Sequence, residues 1–305
     1  MKKLPIVYII SNIMTHTINI SVLMSDANHF SNRQPINPYY NHELIDYDKA
    51  SQEHATLREL LMQAGVKVIT ATSPTDSQDG VYTANWALVH GDKAVLARLP
   101  NTRHTEEAHA EKILTELGKQ IIHIPDGLKF SGQGDALACG NLLFCGSGYR
   151  SDAEAQAFAA ETLGYEYIQL QTVPQLDPND NAIINPATGW PDSYFYDIDL
   201  ALAIIKAPSD NQKGLIAYCP EAFMPSSHEF LATFGAVDKI EVSIDEARNG
   251  FATNLISTGE TVIMSKHAPQ LTEQLRQRGL IVMTPEITEL AKGGGYIRCM
   301  TLTLS

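Results

Sequence analysis

The stretch "LRELLMQAGVKVITAT", residues 57–72, changes period at its glycine. Before Gly65 the apolar residues recur at helical spacing, and after it they fall as in a strand. Gly65 stands where a helix ends in a left-handed residue, a conformation glycine adopts at little cost. Four more segments share this layout: "AEKILTELGKQIIHIP" (110–125), "AQAFAAETLGYEYIQLQ" (155–171), "EFLATFGAVDKIEVSI" (229–244) and "TEQLRQRGLIVMTP" (272–285), with Gly118, Gly164, Gly235 and Gly279 in the corresponding place. All five glycines are expected to close their helices in the left-handed region.

Between these segments lie apolar hairpins: "ANWALVHGDKAVLARL" (84–99), "DALACGNLLFCGSG" (135–148), "DLALAIIKAPSDNQKGLIAYC" (199–219) and "NLISTGETVIMS" (254–265). A fifth hairpin requires "MTLTL" (300–304) to pair with "ISVLM" (20–24), which brings the two ends together. Units of strand, strand, helix and strand stack because none buries its apolar face alone. The expected fold is therefore α/β: a five-unit, pseudo-fivefold α/β propeller forming a single closed domain over residues 21–305. An open doubly wound sheet would join its strands through helices rather than hairpins. Residues 1–20 read as a disordered N-terminal extension, with Met14 an alternative start. Their apolar run, broken by Ser11 and Asn12, is too short for a signal peptide. No run approaches the ~18 apolar residues of a membrane span.

Composition narrows the function. With 305 residues, 44% hydrophobic and 19% charged, the chain has the profile of a globular protein. A net charge of -13 and the absence of any Lys/Arg cluster argue against nucleic acid and suit a small cation. Cys139, Cys145, Cys219 and Cys299 form no CxxC pair and have no Cys/His ligand spacing, so no metal site, cofactor or disulfide framework is expected. A reducing, cytoplasmic setting follows. Self-association is left open.

The chemistry gathers in the stretches leading from one unit into the next: "DGVYTANW" (79–86), "FSGQGDAL" (130–137), "YFYDIDLA" (194–201), "NGFATNLI" (249–256) and "GGGYIRCM" (293–300). Sharing one repeat position, they should converge at one end of a ring. They carry Asp79, Asn85, Asp135, Asp197, Asp199, Asn254 and Cys299. One thiol facing carboxylates and amides suits attack on a cationic, planar carbon. A lone cysteine before a strand is more often a buried small hydrophobe, and Cys139, Cys145 and Cys219, in apolar strands, read that way.

These motifs, "VYTAN", "GQGDAL", "FYDIDLALA", "FATN" and the terminal "GGGYIRCMTL", resemble the pentein superfamily of guanidino-group modifying enzymes: arginine deiminases and dihydrolases, dimethylarginine dimethylaminohydrolases, agmatine deiminases and amidinotransferases. The resemblance runs from about Ser21 to the C-terminus. It implies that Cys299 is the nucleophile, attacking the guanidinium carbon to form a covalent thiouronium, and that the substrate is a small guanidino or amidino compound such as arginine. Asp199 and Asn85 match residues that hold the guanidinium. Asp135 matches the end of the family's Gly-Gly-Asp element, or else serves as a turn residue. Asp79 faces the ligand or caps its loop, and Asn254 joins the site. Arg150 and Arg103 match arginines that anchor a substrate carboxylate, although Arg103 could instead pair with Glu106 or Glu107 as a surface charge.

Two departures bear on activity. The family's general acid/base histidine should stand two residues before Asp199, and Asp197 stands there; Ser131 and Gln133 stand where its glutamate is expected. None of the ten histidines falls in the converging stretches. With Asp197 as acid/base, the expected activity is a guanidino-group hydrolase. The alternatives are an amidinotransferase acting on an amine acceptor, and a catalytically silent protein that binds a guanidino ligand or a protein partner.

Overall fold

The computed structural model describes residues 18–305; residues 1–17 of the expected extension, Met14 included, lie outside them. The first unit contains strand β1 (Ser21–Ser25), helix α1 (Tyr47–Gln63) and strand β2 (Lys67–Ala71). In the second, β3 (Ala87–His90) and β4 (Lys93–Leu96) precede α2 (Thr105–Glu116) and β5 (Gln120–Ile122). The third repeats this with β6 (Ala136–Cys139), β7 (Leu142–Gly146), α3 (Ala153–Leu163) and β8 (Glu166–Leu170). The fourth comprises β9 (Leu202–Lys206), β10 (Gly214–Tyr218), α4 (Pro225–Thr233) and β11 (Val237–Glu241), followed by an added helix, α5 (Ile244–Gly250). The fifth has β12 (Ile256–Ser257), β13 (Thr261–Ile263), α6 (Pro269–Gln277) and β14 (Ile281–Met283), and β15 (Leu302–Thr303) ends the series.

These strands make five three-stranded sheets among the described residues. In each, the hairpin pair is antiparallel and the strand after the helix adds in parallel, as β7 does with β6 and then with β8. The fifth hairpin forms between the distant ends: Val22 of β1 faces Thr303 of β15. Middle strands are flanked on both edges, so β7 and β10 are buried at every position and read as unbroken apolar runs. Each long helix covers its sheet with residues one turn apart, Leu57 and Leu61 on α1 and Ala155 and Ala159 on α3.

Four of the five repeat glycines are left-handed, with φ between +78° and +87°. Gly235 is not. Helix α4 closes at Phe234 with φ -65° and ψ 106°, so the chain leaves in an extended direction and needs no left-handed residue. Helix α5 shows no apolar periodicity in the sequence; Ser243 starts it, accepting a hydrogen bond from the Glu246 amide.

Short 3-10 turns at Thr83–Trp86, Gly132–Gly134 and Ile198–Leu200 lead into β3, β6 and β9 and touch one another in that order. Strand β6 packs against β9, and β9 against β12. The polar stretches are thereby brought together. Among the described residues no helix is long and apolar enough to cross a membrane.

Candidate active site

Cys299 lies in the turn before β15, only 2% exposed. Its amide donates to Asn254 Oδ1 (3.2 Å), Asn254 Nδ2 donates to its sulfur (3.1 Å), and the thiol reaches Asp199 Oδ2 at 3.5 Å. The preceding glycines make this approach feasible. Gly294 has φ +82°, and a side chain there would strike Asn37; a Cβ on Gly295 would come within 2.6 Å of the Tyr82 ring. Burial, then the Asp199 and Asp197 charges, push the Cys299 thiol well above its usual range. The free protein therefore holds a neutral thiol at pH 7. Burial and Asp197 likewise push Asp199 up, against the pull of Arg298. Asp199 Oδ1 is buried with no hydrogen-bond partner among the described residues, an acceptor left open beside the sulfur.

The wall formed by Asp197 differs. Its Oδ1 accepts from Ser131 Oγ and its Oδ2 from Asn85 Nδ2, both at 2.8 Å, while Arg150 Nη1 stands 3.6 Å from Oδ2. Asn85 Nδ2 also donates to Ser131 Oγ (2.9 Å). A Cβ at Gly134 would sit 2.7 Å from Asp197 Oδ2, so the glycine makes room for the carboxylate. Gln133 turns away from the thiol: its Oε1 accepts from Arg298 Nη2 (3.0 Å) and from the Thr303 amide (2.8 Å).

Each remaining residue from the sequence reading has a place. Asp135 spends both oxygens on the fold, accepting from the Ile198 amide (2.9 Å) and Ser151 Oγ (2.7 Å), which fixes the backbone between Asp197 and Asp199. Arg103 is no surface charge. It is 1% exposed, donates twice to Glu106 (2.8 and 2.7 Å) and holds Asn85 Oδ1 at 2.9 Å. Ser77 and Trp86 add hydrogen bonds to the same Glu106 carboxylate. Arg150 donates to the Ile36 carbonyl (3.2 Å) and lies 3.9 Å from the centre of the Tyr196 ring. Asp79 accepts from Tyr40 at 2.5 Å, leaves its second oxygen unpartnered among the described residues, and is raised by burial to about 6. Cys139, Cys145 and Cys219 are free and buried, and burial lifts Cys139 and Cys219 to about 12.

Cys299, Asp79, Asn85, Arg103 and Arg150 line one small cavity, with room for about one water. Asp135, Asp197, Asp199 and Asn254 stand outside that lining. The lining also includes Asn37, Tyr82 and Tyr196, which sequence reasoning did not single out. Asn37 belongs to the loop after β1, outside the repeat, and its one local sign is the turn-forming pair Asn37-Pro38. Among the described residues no group of three or more His, Cys, Asp or Glu is placed to hold a metal.

A family model described as "N,N dimethylarginine dimethylhydrolase, eukaryotic" matches residues 18–184, more than half of the chain. The bifunctional arginine dihydrolase/ornithine cyclodeaminase AgrE of Nostoc sp. is 29% identical over 295 residues; the match takes in 95% of this chain but only 38% of that protein. The N(G),N(G)-dimethylarginine dimethylaminohydrolase of Mycobacterium tuberculosis is 29% identical over 85% of this chain and 77% of its own. The N-terminal domain of ArgZ, in a crystal structure of a variant covalently bound to a reaction intermediate, superposes with a TM-score of 0.80 at 25% identity, covering 94% of this chain and 98% of that one.

Proposed function

Because the chain belongs to the N,N dimethylarginine dimethylhydrolase family, we propose that it is a guanidino-group hydrolase working through a covalent thiouronium on Cys299. The observation that carries this reading is the buried Cys299 sulfur held between Asn254 and Asp199 at 3.1 and 3.5 Å, beside an Asp199 oxygen with no partner of its own among the described residues. A guanidinium N–H fills such an acceptor. The substrate's positive charge also favours the thiolate that burial suppresses. Binding thus supplies the ionisation the empty site lacks.

The thiol proton passes to a carboxylate as sulfur bonds to the guanidinium carbon. The leaving amine takes a proton and departs as its C–N bond breaks. Water then cleaves the C–S bond, releasing a ureido product and restoring the thiol. Asp197 is assigned the proton transfers. Asp199, Asn85 and Asp79 accept from the guanidinium, Asn254 positions the sulfur, and Arg150 meets the substrate carboxylate. Arg103 acts indirectly, by orienting Asn85, and Asp135 by fixing the backbone between Asp197 and Asp199.

A pseudo-fivefold propeller over residues 21–305 is the architecture proposed for this site. The repeated sheets, the serial contacts of the 3-10 turns and the β1–β15 pairing support it. Four free, buried cysteines suit a cytoplasmic setting.

One observation favours a silent binding protein instead: Asp197 is already engaged by Ser131, Asn85 and Arg150. The deciding experiment incubates the protein with arginine, dimethylarginine and agmatine. Citrulline, ornithine, urea and ammonia are followed, and early-quenched samples are weighed by mass spectrometry. Product together with a Cys299 adduct is expected. Binding with neither would overturn the hydrolase in favour of the silent protein.

A further inference from the structure

A second cavity, of ≈ 300 Å³, shares no lining residue with the Cys299 cavity. Its walls are mostly apolar, including Leu88, Leu137, Leu202 and Leu255. That volume lies at the lower end for small-molecule sites. Two of its polar lining residues stand out.

Arg298 is one. It is 8% exposed, and its guanidinium donates to neutral acceptors: the Thr301 carbonyl (3.3 Å), Thr303 Oγ1 (2.9 Å) and Gln133 Oε1 (3.0 Å). Among the described residues no carboxylate lies within ion-pair distance of it, whereas the buried Arg103 has Glu106 at 2.7 Å. Asp199 acts on it only through space, and a buried cation with no carboxylate in contact is costly. Thr253 is the other: 1% exposed, it lines the same cavity, and its hydroxyl has no hydrogen-bond partner among the described residues. In a chain of net charge -13, moreover, no Asp or Glu side chain lines this cavity.

We propose that this cavity is a second binding site, for a small organic anion with an apolar body, typified by a medium-chain monocarboxylate. Its carboxylate neutralises Arg298 and accepts from Thr253, and its chain lies along the leucine walls. Because Arg298 directly precedes Cys299, the occupant would sit one residue from the thiol without entering its cavity. The inference does not depend on the hydrolase reading.

The test is calorimetric titration of the full chain with hexanoate, and with hexylammonium and 1-hexanol as matched probes. Hexanoate is expected to bind at least about tenfold more tightly than either. Ala138 is an exposed lining residue of β6, and Ala138→Trp should block the site without touching the core. Thr253→Val should weaken hexanoate several-fold while leaving the melting temperature of the free protein unchanged or raised, because the hydroxyl it removes has no partner among the described residues. Arg298→Gln should abolish the preference for the anion. No saturable heat up to about 10 mM, equal binding of hexanoate and hexylammonium, or hexanoate binding unchanged in Ala138→Trp would each overturn the proposal.

Discussion

The two walls of the candidate active site are built by different rules. Around Cys299 the hydrogen bonds are few and one is missing: Asn254 and Asp199 reach the sulfur, and Asp199 keeps a bare oxygen among the described residues. Around Asp197 the bonds are full, with Ser131, Asn85 and Arg150 all directed at one carboxylate. A wall that lacks a donor is poised for a ligand, and one already satisfied is poised to hold its shape. In the proposed reaction the thiol side forms the bond, while the side assigned the proton transfers is an acid–serine pair where the family resemblance leads one to expect histidine and glutamate.

The hardest test of this contrast is Cys299→Ser. Turnover of the best guanidine should fall by at least about 10³-fold, and the mass-spectrometric adduct should vanish while substrate still binds. A variant that keeps its rate would move the chemistry to another group. Asp197→Asn comes next. An amide keeps the shape but exchanges no proton, so kcat should drop by roughly 10²–10³ with KM little changed; an unaltered kcat would make the Asp197 wall a purely structural support.

A stability measurement probes the same buried charges without any substrate. Asp79 is held at about 6 in the fold against an ordinary 3.8, because burial outweighs the help of Arg103 and Tyr40. The unfolded chain thus releases this proton first. The contribution to stability is present below pH ~4 and lost as pH rises through 6. The stability of the wild type relative to Asp79→Asn should fall by roughly 2–3 kcal/mol between pH 4 and 7, read from denaturant midpoints. A constant difference would mean that the fold leaves the titration of Asp79 unchanged.

The smallest expected effect concerns Arg150, on the Asp197 wall. Arg150→Ala should weaken arginine about tenfold or more, as the loss of a charge-assisted pair does, and agmatine, which lacks the carboxylate, by much less. Equal losses in calorimetry would assign the guanidinium to Asp197 alone.

The repeat was legible because it is enforced by local physics: a helix must end, and Gly65, Gly118, Gly164 and Gly279 end theirs in the left-handed region. Gly235 shows the limit of that logic, since the chain can also leave a helix in the extended direction, as it does at Phe234, and composition alone does not distinguish the exits. Helix α5 escaped notice because seven residues with charges at Asp245, Glu246 and Arg248 display no apolar stripe. In the site, residues within the five repeated stretches could be named in advance because position in a repeat translates into position in space. Asn37 could not. It arrives from a loop belonging to no repeat, and its closeness to Gly294 depends on how that loop folds over the cavity. The burial of the Arg103–Glu106 pair was equally invisible, because spacing i to i+3 is the same for a solvated pair and a dry one.

The pairing of β1 with β15 has a consequence for the birth of the molecule. As the chain leaves the ribosome, the middle units hold all their strands in sequence and can complete their sheets one after another. The first cannot, since Val22 waits for Thr303, a partner about 280 residues later. Until that partner emerges, the waiting edge is an open row of amides and carbonyls. Cys299, three residues before β15, is made together with that partner strand. The proposed nucleophile thus reaches its place only when the first sheet closes, and a chain cut before β15 leaves β1 without that partner.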